Sequence, residues 1–179
     1  MKIFYIDSEK YVLDKDFLKT FLKDRKFSSY KKEREHCYGR FLIKTVGRKF
    51  FNIENTELEI VNKKPKFKLS DIQFSISHSE NIIVAAFDKN PVGVDIEIMK
   101  SRNFPEIFAR YNVKGIEITK EMFYQYWTEY EAKIKLQGEV KTKLSTPFLN
   151  NFMLSVSGDF DEKYEIYEVN ENGFNLIYQ

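Results

Sequence analysis

The chain is organised around the sequence Val92-Gly93-Val94-Asp95-Ile96-Glu97-Ile98. Apolar residues alternate with others, which predicts a strand with four aliphatic side chains on one face and Gly93, Asp95 and Glu97 on the other. Residues two apart on a strand lie roughly 6 to 7 Å from each other, so one cation could bridge the two acids, and Gly93 leaves room beside them. Without a cation or a basic partner the acids repel, so removing Asp95 is expected to leave stability unchanged or slightly higher.

A second segment, from Trp127 to Gly138, predicts the last turns of a helix that ends at a glycine. Glu131 and Lys135 are four residues apart and therefore neighbours on one helical face. An isolated pair of this kind is usually a solvated ion pair worth roughly a few tenths of a kcal/mol. Together with the two strand acids, however, the pair predicts a site for Mg²⁺ and phosphate, because carboxylates bind Mg²⁺ and lysine neutralises phosphate.

A histidine follows the predicted strand Phe74 to Ser77, within the sequence Ser77-His78-Ser79. A lone histidine at a strand end is more often a hydrogen-bonding residue than a catalyst. No second histidine lies in a motif, and the chain has no Gly-x-Ser-x-Gly sequence. The serines are therefore not predicted to act as acyl-enzyme nucleophiles.

Three segments resemble, in order, the motifs of the 4′-phosphopantetheinyl transferases, in the larger surfactin-synthetase-activating (Sfp-type) subclass. They are Phe74 to Ser79, Pro91 to Glu97, and Trp127 to Gly138. The order and spacing carry the resemblance, because a lone Asp-x-Glu is weak evidence. A fainter similarity includes Lys64-Pro65 and the final strands, so the resemblance covers most of the chain.

The resemblance implies an enzyme that transfers the 4′-phosphopantetheine arm of coenzyme A to a serine of an apo acyl- or peptidyl-carrier protein. The reaction would depend on Mg²⁺, or on Mn²⁺ in its place, and would release adenosine 3′,5′-bisphosphate. Asp95, Glu97 and Glu131 would bind the metal, and Glu131, Asp95 and Lys135 would be catalytic. Whether Glu131 is a metal ligand, the base for the carrier serine, or both is left open. The residues that the resemblance assigns to coenzyme A are Lys135, His78, Ser77, Lys64, Pro65, Arg34 and Arg40.

Two residues depart from the family pattern. Tyr130 stands where the family usually has lysine, which is expected to weaken the pyrophosphate contact by about 1 to 3 kcal/mol unless Lys133 or Lys63 compensates. Lys63 replaces a glycine, and a lysine takes a positive φ only at a cost, so the loop before Pro65 is expected to differ locally.

The remaining patterns predict an α+β fold. Helices are expected after Asp14, after Ser28-Ser29 and after Thr119, and a short one is expected around Phe104, Ile107, Phe108 and Tyr111. The resemblance implies a pseudo-dimer of two similar α+β lobes, each a small antiparallel sheet packed with helices, with a ligand cleft between them. The predicted lobes are residues 1–90 and 91–179, within one compact unit.

The composition limits the classes of function that the chain can have. The 179 residues carry 42% hydrophobic residues, enough for one sizeable core or two small lobes. A formal net charge of +2 favours neither a nucleic-acid binder nor a membrane-surface protein. The single cysteine excludes an internal disulfide and a cysteine-rich zinc site, and the absence of an apolar leader predicts the cytoplasm. Two lobes in one chain would make a monomer sufficient.

Two other function classes remain open from the sequence. A Mg²⁺-dependent nuclease can also use an acid pair followed by Glu-x-x-x-Lys, but it does not require the Ser77-His78-Ser79 motif. A degenerate relative that binds coenzyme A or a carrier protein without turnover would not need the clustered acids. The carrier's own pathway, whether fatty-acid, polyketide or peptide synthesis, cannot be read from these residues.

Overall fold

The computed structural model describes residues 1–22, 25–102, 104, 106, 119–161 and 163–179. The elements among these residues are β1 (Lys2–Asp7), α1 (Lys15–Lys19), α2 (Tyr30–Lys49), β2 (Leu58–Val61), β3 (Lys64–Phe67), β4 (Gln73–Ser79), β5 (Ile82–Asp88), β6 (Val92–Ile98), α3 (Lys120–Leu136), β7 (Thr142–Phe148), β8 (Phe152–Gly158), β9 (Glu165–Asn170) and β10 (Gly173–Tyr178). The predicted α+β class, with small sheets packed against helices, is confirmed.

The described residues form four layers in the order helix, sheet, sheet, helix. The five-stranded sheet β10-β9-β1-β5-β4 packs one face on α2 and the other on the three-stranded sheet β6-β8-β7, whose far face is covered by α3. Alternation along β1 shows this directly, because Ile3 and Tyr5 belong to the core between the sheets while Phe4 and Ile6 belong to the core under α2. The strands β2 and β3 form a separate two-stranded sheet.

The strand predicted at residues 92–98 is confirmed with the same bounds. Val92, Val94 and Ile96 are fully buried in the core between the sheets, as the alternation predicts. The turn-forming residues from Asp88 to Pro91 predict a hairpin between the apolar run Ile82 to Phe87 and this strand, but they carry the chain from one sheet to the other. The acidic strand β6 therefore pairs with β8 and not with β5.

The predicted helix starts are confirmed. Asp14 accepts the backbone N–H groups of Asp16 and Phe17, Ser29 accepts that of Lys32, and Thr119 caps α3. Apart from Phe104, the short helix predicted from Phe104, Ile107, Phe108 and Tyr111 lies outside the described residues. Neither α2 nor α3 nor any other described helix combines the length and the apolar character needed to cross a membrane.

Two strands from the second half of the chain complete the sheet of the first half. β9 pairs in parallel with β1, and β10 pairs with β9 in antiparallel fashion. All other strand pairs of the described chain are antiparallel. The division into lobes at residues 90 and 91 stays a prediction, and β9 and β10 cross it to join the sheet of the first half.

Candidate active site

The strands β4 and β6 are joined by serine side chains, although they belong to different sheets. Each is an edge strand of its own sheet. Ser75 Oγ accepts the backbone N–H of Val94 at 3.1 Å, and Ser79 Oγ accepts that of Ile98 at 3.0 Å. The serine between them, Ser77, points to the same side of β4, since side chains alternate along a strand.

Ser77, Asp95 and Lys135 form one hydrogen-bonded cluster, and each comes from a different motif. The Ser77 hydroxyl donates to Asp95 Oδ1 at 2.8 Å, and Lys135 Nζ donates to the same oxygen at 2.6 Å. Lys135 Nζ also lies 2.9 Å from Ser77 Oγ. Because the Asp95 side chain is only 6% exposed, the lysine supplies the positive charge that a buried carboxylate requires. Lys135 is therefore the basic partner that offsets repulsion within the acid pair.

Glu97 is bound by a different serine. Ser79 Oγ donates to Glu97 Oε2 at 3.1 Å. Burial raises the pKa of the Glu97 carboxyl, the Ser79 hydrogen bond opposes this rise, and the charge of Asp95 adds to it. Each acid of the strand thus has its own serine from β4.

Gly93 allows the end of α3 to lie directly on β6. A Cβ atom at this position would be 2.0 Å from the carbonyl oxygen of Ala132 and 2.6 Å from the backbone nitrogen of Leu136. The room that the glycine leaves was expected to lie beside the acids, but the helix backbone fills it. Ala132 is fully buried. The close contact explains why two small residues face each other here, and it brings Lys135 onto Asp95.

The first half of the helix motif has a structural role. Thr128 is fully buried, and its Oγ1 donates to the Tyr124 carbonyl at 2.8 Å. It also lies 2.6 Å from Ser155 Oγ, and Ser155 pairs with Asp95 across the sheet. Trp127 is partly buried against the neighbouring aromatic cluster. These contacts fix how α3 is rotated on the sheet.

Glu131 is partly exposed on the helix that carries Lys135. Within the parts of the chain that the structure describes, its carboxylate makes no hydrogen bond or ion pair. The helix ends one residue earlier than the glycine predicts, because Gln137 and not Gly138 takes the left-handed conformation, with φ 56°.

Two adjoining cavities, together called the groove, lie between α2, β4 and the end of α3. The larger, of about 410 Å³, has lining residues that include Arg40, Pro65, Ile76 and His78. The smaller, of about 230 Å³, has lining residues that include Lys63, Lys64, Pro65, Ile76 and Lys135. Since Pro65 and Ile76 line both cavities, the two lie side by side, one against α2 and the other against Lys135.

His78 lies on the α2 side of the groove, and its side chain is 49% exposed. Its Nδ1 is 3.5 Å from Glu35 Oε1. Burial lowers the pKa of His78, and the Glu35 charge opposes this shift. The imidazole remains open to the cavity and can bond to a ligand there.

The β2–β3 hairpin places two lysines in the groove. Lys64 Nζ donates to the Val92 carbonyl at 2.8 Å, and burial, followed by the charge of Lys66, lowers the pKa of Lys64 to about 8. The turn before it consists of Asn62 and Lys63, both with positive φ, at 50° and 65°. The replacement of a glycine by Lys63 was expected to make this loop differ from that of the family. The lysine instead takes the left-handed conformation that a glycine would take.

The two arginines predicted to bind coenzyme A are separated. Arg40 lines the groove and also a neighbouring cavity of about 240 Å³ with Arg25, His36 and Lys44. Arg34 lines a different cavity, of about 120 Å³, next to Cys37. The structure therefore brings Arg40, but not Arg34, to the groove.

The carboxylates of Asp95 and Glu97 are donors of the kind that a hard cation prefers, but the described residues do not form a complete metal site around them. Asp95 Oδ2 is buried and has no hydrogen-bond partner among the residues that the structure describes. A buried, unpartnered carboxylate oxygen beside a second acid is the kind of donor that Mg²⁺ binds. In the described ranges, no group of three or more His, Cys, Asp or Glu residues is arranged to hold a metal. Asp95 and Glu97 are thus suitable metal donors, and the charge of Lys135 neutralises that of Asp95 in this arrangement.

Sequence reasoning did not assign a role to Ser75 or Ser79, and it assigned Ser77 to coenzyme A. The structure places Ser77 on Asp95 and Lys135. The signal was present in the sequence, because serines at 75, 77 and 79 share one face of a strand. Their partner could not be predicted, since nothing local shows that β6 lies beside β4.

No family model matches the chain. It is nevertheless similar to curated proteins of Bacillus subtilis. A 4′-phosphopantetheinyl transferase is 31% identical over 170 residues, which cover 87% of this chain and 73% of the relative. The 4′-phosphopantetheinyl transferase ffp is 30% identical over 171 residues, covering 88% and 74%. The 4′-phosphopantetheinyl transferase Sfp of strain 168 is 29% identical over 159 residues, covering 80% and 68%.

Proposed function

Because this chain belongs to the 4′-phosphopantetheinyl transferases, we propose that it transfers the 4′-phosphopantetheine arm of coenzyme A to a serine of an apo carrier protein. The carrier serine oxygen bonds to the β-phosphorus of coenzyme A as the bond to the bridging oxygen breaks. Adenosine 3′,5′-bisphosphate leaves, and the serine proton passes to a base. The family makes the chain an enzyme, and the substrates and the metal are our proposal.

The observation that carries this proposal is the convergence of three separate motifs on one point. Ser77 from β4, Asp95 from β6 and Lys135 from α3 lie within 2.9 Å of one another, at the end of a groove. The groove offers cations and a histidine along its length, as a substrate with several phosphates requires. A packing role alone would not place a buried, unpartnered carboxylate oxygen here.

The residues of the site have separate roles in this reaction. Lys135 stabilises charge on the phosphate oxygens, and Lys64, Pro65, His78 and Arg40 bind coenzyme A along the groove. Glu131, whose carboxylate is unengaged within the described residues, accepts the serine proton. Asp95, Glu97 and Glu131 would hold Mg²⁺, or Mn²⁺ in its place. When bound, the metal neutralises the charge that develops on the pyrophosphate.

Tyr130 does not line the groove in the described structure. It is 50% exposed, and its ring lies 6.5 Å from that of Trp127. Both lysines are exposed, but Lys63 lines the smaller cavity of the groove and Lys133 lines neither of its two cavities. Lys63 is therefore the better candidate to supply the charge that the family usually takes from a lysine at position 130.

The proposal also includes a monomer that acts in the cytoplasm without nucleic acid or membrane. The near-neutral net charge and the single cysteine support this setting.

The direct test is to incubate the protein with Mg²⁺, coenzyme A and a panel of apo carrier proteins, and to follow the carriers by intact-mass spectrometry. At least one carrier should gain a single phosphopantetheine arm. The gain should disappear with a chelator, and also with a carrier whose acceptor serine is alanine. A panel that includes the carriers of the same cell and gains no arm would contradict the proposal.

A further inference from the structure

Ser79 makes two hydrogen bonds that together fix the direction of its only hydroxyl proton. Its Oγ is 3.0 Å from the backbone nitrogen of Ile98 and 3.1 Å from Glu97 Oε2. A backbone N–H can only donate, so it uses a lone pair of the serine oxygen. The hydroxyl proton is therefore directed at the Glu97 carboxylate, which accepts the hydrogen bond.

Ser75 provides the comparison within the same strand. Its Oγ accepts the backbone N–H of Val94 at 3.1 Å, in the same way that Ser79 accepts that of Ile98. Both serines are buried, at 4% and 8% exposure. The bond to Glu97 is the feature that distinguishes Ser79.

The Ser79 hydrogen bond restrains Glu97, whose carboxylate is only partly fixed by its surroundings. Glu97 is half-buried, and Ser79 binds only one of its two oxygens. A hydrogen bond to an ionised carboxylate is stronger than one between neutral groups, and it restricts rotation of the carboxylate. Among the described residues the second oxygen has no hydrogen-bond partner, and Glu97 shares its strand face with Asp95.

We infer that Ser79 is a positioning residue of the active site, which orients the Glu97 carboxylate as a metal donor while it fastens β6 to β4. The inference rests on the proposed function where it concerns the metal. The role assigned to Ser79 acts through Glu97, because its proton is engaged by Glu97 and one of its two lone pairs by the Ile98 N–H.

The test is a titration with MgCl₂ followed by thermal unfolding, without coenzyme A or carrier. Ser79→Ala should raise the Mg²⁺ concentration at half-maximal stabilisation at least fivefold. Ser79→Thr, which keeps the hydroxyl, should stay within twofold of the wild type. Ser75→Ala is the matched control, because it also loses a hydroxyl that binds a β6 backbone N–H, and it should stay within twofold. An equal midpoint for Ser79→Ala and the wild type, or an equal shift for both alanine variants, would overturn the inference.

A second measurement separates this inference from the proposed metal. If the wild type is not stabilised by Mg²⁺ at all, the metal assignment fails. The pair is then judged by a double-mutant cycle on urea unfolding with Ser79→Ala, Glu97→Ala and both together. Coupling of at least fivefold in the unfolding equilibrium constant keeps Ser79 as the residue that positions Glu97, and additive effects remove it.

Discussion

Lys135 is the residue on which the local charge balance depends. Its bond to Asp95 joins a lysine that is 30% exposed to a carboxylate that is 6% exposed. Lys135→Met should lower the free energy of unfolding by about 2 kcal/mol, because it leaves a buried carboxylate without a cation. The estimate is below that for a fully buried pair because the lysine is partly solvated. Urea unfolding without Mg²⁺ measures it.

The matched control for Lys135→Met is Lys141→Met. Lys141 pairs with Asp159 at 2.8 Å, but both side chains are at least half exposed. This change should have no measurable effect on stability. Equal stability losses in the two variants would contradict a special role for the Asp95 pair.

The pair also reverses the expectation from sequence that removing Asp95 would relieve repulsion, since its removal would leave Lys135 without its partner.

Lys63 stores backbone strain in the turn between β2 and β3. A left-handed conformation costs an L-residue roughly 1 to 2 kcal/mol, and glycine avoids most of this cost. Lys63→Gly should therefore raise the free energy of unfolding by about 1 kcal/mol. Asn62→Gly should raise it less, because asparagine tolerates this conformation. Chemical denaturation of both variants checks the order, and the opposite order would be inconsistent with the turn.

Lys64 should make stability depend on pH in the alkaline range. Its pKa falls from an ordinary value of 10.5 to about 8 in the folded chain. Between these values the unfolded chain binds more protons, so stability should rise with pH across this window. Lys64→Met should show a smaller rise between pH 7.5 and 9.5 in urea unfolding. Identical pH slopes for the variant and the wild type would exclude a buried, depressed Lys64.

At the scale of elements, the contact between β6 and α3 leaves less space than any other contact at a described glycine. Gly93→Ala would place a methyl group 2.0 Å from the Ala132 carbonyl oxygen, so strand and helix must separate. We expect a loss of at least about 3 kcal/mol in stability, the scale of severe overpacking. Gly138→Ala is the control, since its nearest contact would be 3.8 Å away. Circular dichroism during thermal unfolding measures both, and a Gly93→Ala protein as stable as the control would refute the contact.

Element types were predictable where the local pattern was strong. The alternation of β6 and the caps at Asp14, Ser29 and Thr119 were sufficient. The strands β3 and β7 were missed because Pro65 and Pro147 weaken the strand signal. Both lie on strands at a sheet edge, where a missing N–H is tolerated.

At the scale of the whole molecule, the long-range arrangement could not be predicted from periodicity. The patterns from Tyr164 to Val169 and from Phe174 to Tyr178 predict the strands β9 and β10. They do not predict that these strands join β1, because sheet membership depends on contacts between distant residues. The same limit applies to the site. The residues Asp95, Glu97, Glu131 and Lys135 could be named from their motifs, but the ion pair, the serine bonds and the separation of Arg34 from Arg40 are tertiary properties.

The proposed reaction exchanges one bond of coenzyme A for one bond to a carrier serine. One reaction should therefore be quenched over time and divided between intact-mass analysis of the carrier and chromatography of nucleotides. One adenosine 3′,5′-bisphosphate should be released for each phosphopantetheine arm gained, and both products should be lost in Glu131→Gln. Nucleotide release without carrier modification, or cleavage of a nucleic acid under the same conditions with an unmodified carrier, would contradict it.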